Sequence, residues 1–132
     1  MVDPEIVREW VAKALEDFDF ARINFEERRP FWAQICFHFH QSAEKHLKVF
    51  IISNELDFRK THDLLLLLRV CSSKDRDFES LRDECEYLNT FYLETRSPVH
   101  WPTHLTQNEA QKALQSAERI KALVEKKVKT RF

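Results

Sequence analysis

Not one of the 132 residues is glycine. That absence constrains the fold more than any motif does. Glycine takes left-handed backbone conformations at no steric cost, so its lack disfavours the tight primed turns that join hairpin strands. It also removes the glycine-rich loops in which backbone amides cradle phosphate, both the dinucleotide fingerprint and the P-loop. What remains open to such a chain is long helices joined by polar connections.

The apolar spacing says the same. Asp3-Pro4 sets a capping residue before a proline at the first helical position. Val7, Trp10, Val11, Ala14, Phe18, Ala21 and Phe25 then recur at three- and four-residue steps, until Glu26-Glu27-Arg28-Arg29-Pro30 ends the run. A second helix is predicted from about Pro30 to about Asn54. Its stripe is Trp32, Ile35, Cys36, Phe39, Ala43, Leu47 and Phe50; Phe37 and Ile52 on its far side predict packing on two sides. A short third helix covers the leucines of 64–68, with Thr61 as its cap. After the polar 72–75, Phe78, Leu81, Cys85, Leu88 and Tyr92 mark a fourth helix. The segment 96–105, RSPVHWPTHL, carries two prolines and cannot be regular helix. Thr106 and Glu109 then form a capping box before the stripe Ala110, Ala113, Ala117, Ile120, Val124 and Val128. The fold class expected is all-α, an up-and-down four-helix bundle with one extra short helix, as one domain over 1–132.

A hydrophobic share of 43% supports a packed core. The net charge of −1 gives no global field to draw the chain onto nucleic acid or anionic lipid, so anion binding must come from a local patch. No N-terminal apolar segment follows a basic start, and no apolar run approaches the ~20 residues of a membrane span; a cytoplasmic location is expected. Cys36, Cys71 and Cys85 are odd in number and lack CxxC spacing, which points to reduced, mostly buried thiols rather than disulfides or a zinc site.

Chemistry concentrates in three places. In CFHFHQSAEKHLKVFI (36–51), His40 and Glu44 stand four apart on one helical face, but there is no HExxH and no third ligand. His38 and His40 lie about 200° apart around a helix and cannot share an ion, so no metal and no cofactor is expected. Gln41, Glu44, Lys45 and Lys48 gather opposite the apolar stripe, as a solvated or dimer-facing strip with Glu44–Lys48 as an i,i+4 pair, or with Lys45 lining a cleft that meets a nucleotide or partner. In KTHDL (60–64), Thr61 caps and Asp63 favours the helix dipole, or His62 and Asp63 join Lys45 in that cleft. In the 96–105 segment, Arg96 caps the fourth helix and Trp101 packs on the bundle, or Arg96, His100, Trp101 and His104 meet a nucleotide or RNA, with Trp101 stacking on a base. The basic tail, Lys121, Lys126, Lys127, Lys129 and Arg131, either touches phosphates or complements the last helix's dipole.

Taken in order, these segments resemble the HEPN family, small helical domains that often accompany minimal nucleotidyltransferases. The resemblance rests on Trp10…Ala14…Asp17…Ala21, on CFHFHQSAEKHLKVFI, on KTHDL, on Cys85…Leu88 with TRSP (95–98), and on the Glu-Ala…Ala-Leu…Ala spacing of the last helix. It implies a homodimer and two kinds of work. Some members are metal-independent ribonucleases, often toxins paired with a nucleotidyltransferase antitoxin; others are nucleotide-binding or substrate-binding subunits beside such an enzyme. The ribonuclease motif is Arg, four to six residues, then His. Here His100 follows Arg96 after three residues and His104 after seven, and the tyrosine that some members carry after the motif has no counterpart. The reading favoured is therefore a nucleotide- or partner-binding subunit of a separate nucleotidyltransferase. The alternative is an endoribonuclease toxin using Arg96 and His100, with Lys45, His62, Asp63, Trp101 and His104 as candidate binding residues in either case.

Overall fold

The computed structural model describes residues 2–96 and 104–128, with 93–96 described by backbone alone. Five α-helices follow one another among these residues: α1 (Pro4–Glu26), α2 (Trp32–Ser53), α3 (Leu64–Lys74), α4 (Arg82–Arg96) and α5 (Gln107–Lys127). A 3₁₀ segment, Arg76–Leu81, leads into α4. The long helices α1, α2, α4 and α5 form the bundle, and α3 is the short extra helix, packed on α2 and α4.

The helix ends show how a chain without glycine manages its turns. At the start of α1, the Asp3 carboxylate accepts the Glu5 N–H at 2.9 Å, with Pro4 in the first turn as expected. At the ends of α1 and α2 the backbone must turn left-handed, and Arg28 (φ 56°) and Glu55 (φ 54°) do so in glycine's place. Both ends close with the paired bonds of a Schellman turn: Arg29 N to Asn24 O and Arg28 N to Phe25 O, then Leu56 N to Ile51 O and Glu55 N to Ile52 O. Leu56 folds back onto the core beside the second turn. For α5, the Glu109 carboxylate accepts the Thr106 N–H at 2.8 Å, completing the expected capping box.

α2 is the axis of the bundle and packs against every other helix. Its predicted stripe is buried: Ile35, Cys36, Phe39, Ala43, Leu47 and Phe50. Phe18 of α1 meets Phe39 edge-on at 5.7 Å, and Phe78 of the 3₁₀ segment packs on Phe50 at 4.4 Å. Each such ring removes a large apolar area from water, so these contacts hold the bundle together. Trp10, Phe25 and Trp32 lie at the margin of the core, partly buried.

Several expectations need correction. The fourth helix does not run unbroken from Phe78, since its first turn is the 3₁₀ segment. Phe91 rather than Tyr92 fills the core from α4; both positions follow Leu88 at helical spacing, and the packed face takes the three-residue step. α3 is capped by Asp63, whose carboxylate accepts the Leu65 N–H at 3.0 Å, and not by Thr61. Glu44 and Lys48 are not a solvated strip. Both are buried, because the segment between α2 and α3 folds over that side of α2.

Polar groups inside the bundle are tied to backbone. His46 is fully buried and donates from Nδ1 to the Ser42 carbonyl at 2.9 Å, while the Ser42 hydroxyl donates to Ala14 O at 3.0 Å. Burial, opposed by that carbonyl, pushes the His46 ring down to about 4, so it stays neutral. The three cysteines are buried free thiols; burial pushes Cys36 and Cys85 up to about 12 and Cys71 higher still. No helix among the described residues is long and apolar enough to cross a membrane.

Candidate functional site

A groove of about 380 Å³ opens where the segment before α3 meets α4, lined by Lys60, Thr61, His62, Asp63, Asn89 and Tyr92. Its floor is α2. From there His40 donates Nε2–H to the His62 carbonyl at 3.0 Å, pinning the loop to the helix. Burial lowers the His40 pKa despite the opposing pull of Gln41, Glu44 and that carbonyl, so the ring is neutral and its proton remains on Nε2. Its Nδ1 lies 3.1 Å from the end of the Gln41 side chain, whose NH2 donates to it when the amide is turned toward the ring.

The Glu44 carboxylate carries two partners, one on each oxygen. Nδ1–H of His62 donates to Oε1 at 2.8 Å and the Lys48 ammonium to Oε2 at 2.9 Å. The Glu44 and Lys48 side chains are only 5% and 7% exposed, whereas His62 is 46% exposed. Lys48 is held a second time by aromatic rings, with Nζ 5.9 Å from the centre of Trp10 and 5.6 Å from that of Phe58. Those rings meet edge-on at 5.7 Å. A buried ion pair is stable only when its geometry and hydrogen bonds compensate its lost hydration; here both Glu44 oxygens are bonded, and the Lys48 ammonium adds the two rings to its carboxylate bond.

Tyr92 supplies the aromatic wall. Its ring stacks on His62 at 4.9 Å and on His40 at 5.4 Å. Asn89, one turn earlier on α4, donates to Asp63 Oδ1 at 2.8 Å and accepts the Leu64 N–H at 2.9 Å. Asp63 and Asn89 are thus committed to fixing the start of α3. Lys60 has no ion-pair partner among the described residues.

The structure brings His62 and Asp63 into this groove and takes Lys45 elsewhere. Lys45 bonds the Asp17 carboxylate on the α1 side, where His38 Nδ1 donates to the other Asp17 oxygen at 3.1 Å. Burial raises the Asp17 pKa, but the hydrogen bonds and charges of His38 and Lys45 outweigh it, and the net shift is downward. His104 is exposed just before α5. His100 and Trp101 lie outside the described residues, as does the side chain of Arg96; its backbone ends α4, four residues beyond Tyr92. In the tail, Lys127 pairs with Asp75 at 2.9 Å and Asp77 at 2.5 Å, fastening α5 to the 3₁₀ segment. Among the described residues no group of His, Cys, Asp or Glu is arranged to hold a metal ion. Tyr92, Asn89 and Lys48 were not singled out from the sequence as site residues. The spacing Asn89, Tyr92, Arg96 along one α4 face was the available signal.

The HEPN domain model matches residues 7–127, nearly the whole chain and every element that builds the groove. The chain belongs to the HEPN family. The crystal structure of an archaeal HEPN homologue superposes with a TM-score of 0.74 at 22% identity, covering 93% of this chain and 98% of that one. At that identity the likeness is one of fold. A search of curated proteins gives no match. The order α1, α2, short α3, α4, α5 is thus a HEPN bundle, with its KTHDL element forming one wall of the groove.

Proposed function

We propose that this HEPN protein is a nucleotide- or partner-binding subunit that works beside a separate minimal nucleotidyltransferase. The observation that carries this reading is the groove itself. It places an aromatic ring (Tyr92), a half-exposed imidazole (His62) and a lysine without an ion-pair partner among the described residues (Lys60) on one surface. An aromatic face is a sequence-tolerant platform for a base, and a lysine ammonium is a point charge for phosphate. The family resemblance adds the nucleotidyltransferase and the homodimer. Phe20 and Ile23, exposed on α1, supply apolar surface for such pairing.

Calorimetric titration with ATP, run alongside incubation with mixed RNA, tests the reading. Saturable ATP binding without RNA cleavage is the expected result. Absence of binding to any nucleotide would overturn nucleotide binding. Co-purification with a minimal nucleotidyltransferase co-expressed from the same genome tests the partnership.

A second reading keeps support from the position of Arg96, which leaves α4 one turn beyond Tyr92 on the same helical face. A metal-independent endoribonuclease would use Arg96 to steady charge on the phosphorane-like transition state and His100 to move a proton. The three-residue spacing between them departs from the family motif, which sets this reading second. RNA cleavage that disappears in both Arg96→Ala and His100→Ala would restore it; equal background cleavage by all three proteins ends it.

A further inference from the structure

Six described residues line the groove, and most of their polar atoms are already engaged. Asp63 and Asn89 are bonded to each other and to the backbone at the start of α3. The Thr61 hydroxyl accepts the Asp63 N–H at 3.1 Å. The Lys60 ammonium and Nε2 of His62 have no described polar partner.

The state of that nitrogen follows from what stands behind it. A carboxylate only accepts, so the 2.8 Å bond to Glu44 requires the His62 proton on Nδ1. Glu44 cannot turn away, because its other oxygen is bonded to Lys48, and Lys48 is boxed in by Trp10 and Phe58. With one proton fixed on Nδ1, a neutral His62 ring carries its lone pair on Nε2, and the side chain is 46% exposed. A carboxylate that fixes a histidine tautomer in this way leaves the other nitrogen as a hydrogen-bond acceptor. His62 stacks on Tyr92 at 4.9 Å, and Lys60, two residues before it, lines the same groove. Aromatic ring, acceptor and cation, the groups that suit base, sugar and phosphate, thus share one lining.

We propose that the groove selects a ribonucleotide over its deoxy counterpart, through a ribose hydroxyl that donates to Nε2 of His62, with Glu44 as the positioning residue. The proposal rests on the nucleotide-binding reading and names what that site discriminates. Tyr92 stacks on the base and Lys60 faces the phosphates. A deoxynucleotide makes both contacts but leaves Nε2 without its donor.

The test is calorimetric titration of the full chain with ATP, 2′-deoxy-ATP and 3′-deoxy-ATP. The wild type is expected to bind ATP about tenfold more tightly than one of the deoxy analogues, the worth of one hydrogen bond. His62→Phe keeps a ring to stack on Tyr92 and removes the acceptor. It should bring the ratio of ATP to deoxy-ATP affinity to about one, whatever the change in overall affinity. The double variant Glu44→Gln/Lys48→Met removes the buried charges together and frees the His62 tautomer, so it should lower the ratio without abolishing binding. Equal affinity of the wild type for all three nucleotides would overturn the proposal and leave nucleotide binding standing, as would discrimination that survives His62→Phe. No binding of any of the three would overturn both.

Discussion

Two clusters on different faces of α2 are made of the same parts. On the α1 side, Asp17 accepts from Nδ1 of His38 and from Lys45; on the groove side, Glu44 accepts from Nδ1 of His62 and from Lys48. Each is one carboxylate holding one imidazole and one ammonium, and neighbouring residues, Glu44 and Lys45, send their side chains to different faces. The difference lies in their surroundings. The Asp17, Lys45 and His38 side chains are 15%, 26% and 33% exposed, and the His38 ring packs on Phe20 at 4.7 Å and Phe37 at 5.5 Å. In the other cluster the ion pair is buried and the imidazole stands at the edge of a groove. Identical chemistry serves as a brace between helices in one place, and in the other as a fixed support for a group that faces outward.

The largest effect that separates the clusters is Glu44→Ala. It leaves the Lys48 charge buried among Trp10 and Phe58 with no carboxylate, and should cost about 3–5 kcal/mol in a denaturant melt. A loss no larger than that of an exposed pair would place Lys48 in water and break the contrast. Acid titration comes next. The folded-state pKa values of His46 and His40 lie below the ordinary histidine value, so the unfolded chain takes up their protons first. Stability is therefore full above about pH 6.5 and falls as pH drops, for His46 until about pH 4. At 1.36 kcal/mol per pH unit, His46 alone accounts for about 2 kcal/mol between pH 6.5 and 5. Thermal melts across that range should show the fall, and His46→Leu should flatten it. The Asp17 shift is downward, so its contribution is lost only at lower pH, as its carboxyl protonates. Asp17→Ala is the smallest of these effects, about 1 kcal/mol at neutral pH, because the partners it leaves behind reach water. A cost matching that of Glu44→Ala would erase the distinction between the two faces.

Much of the bundle was legible in the residues. Asp3-Pro4 and Thr106–Glu109 marked helix starts, and the α1, α2 and α5 stripes marked the core faces, because caps and period are local signals. What escaped was what two segments do to each other. Glu44 and Lys48 plot on the polar side of the α2 wheel, and only the loop closing over them makes that side interior. Tyr92 and Phe91 both follow Leu88 at helical spacing, so sequence could not say which faces the core and which faces the groove. The left-handed turns at Arg28 and Glu55 carry no sequence mark, since glycine is not there to flag them. His62 and Asp63 were singled out, and they lie together in the groove; Lys45 was grouped with them but belongs to the Asp17 brace.

The central claim is that one of the two clusters supports a nucleotide groove and the other does not. A ¹⁵N–¹H correlation titration of the full chain with ATP reads both at once. Saturating shifts of the Thr61, His62, Asp63, Asn89 and Tyr92 amides, with those of Asp17, His38 and Lys45 unmoved, is the predicted result. Shifts centred on Asp17 and Lys45, or no saturating shift at the groove, would contradict it.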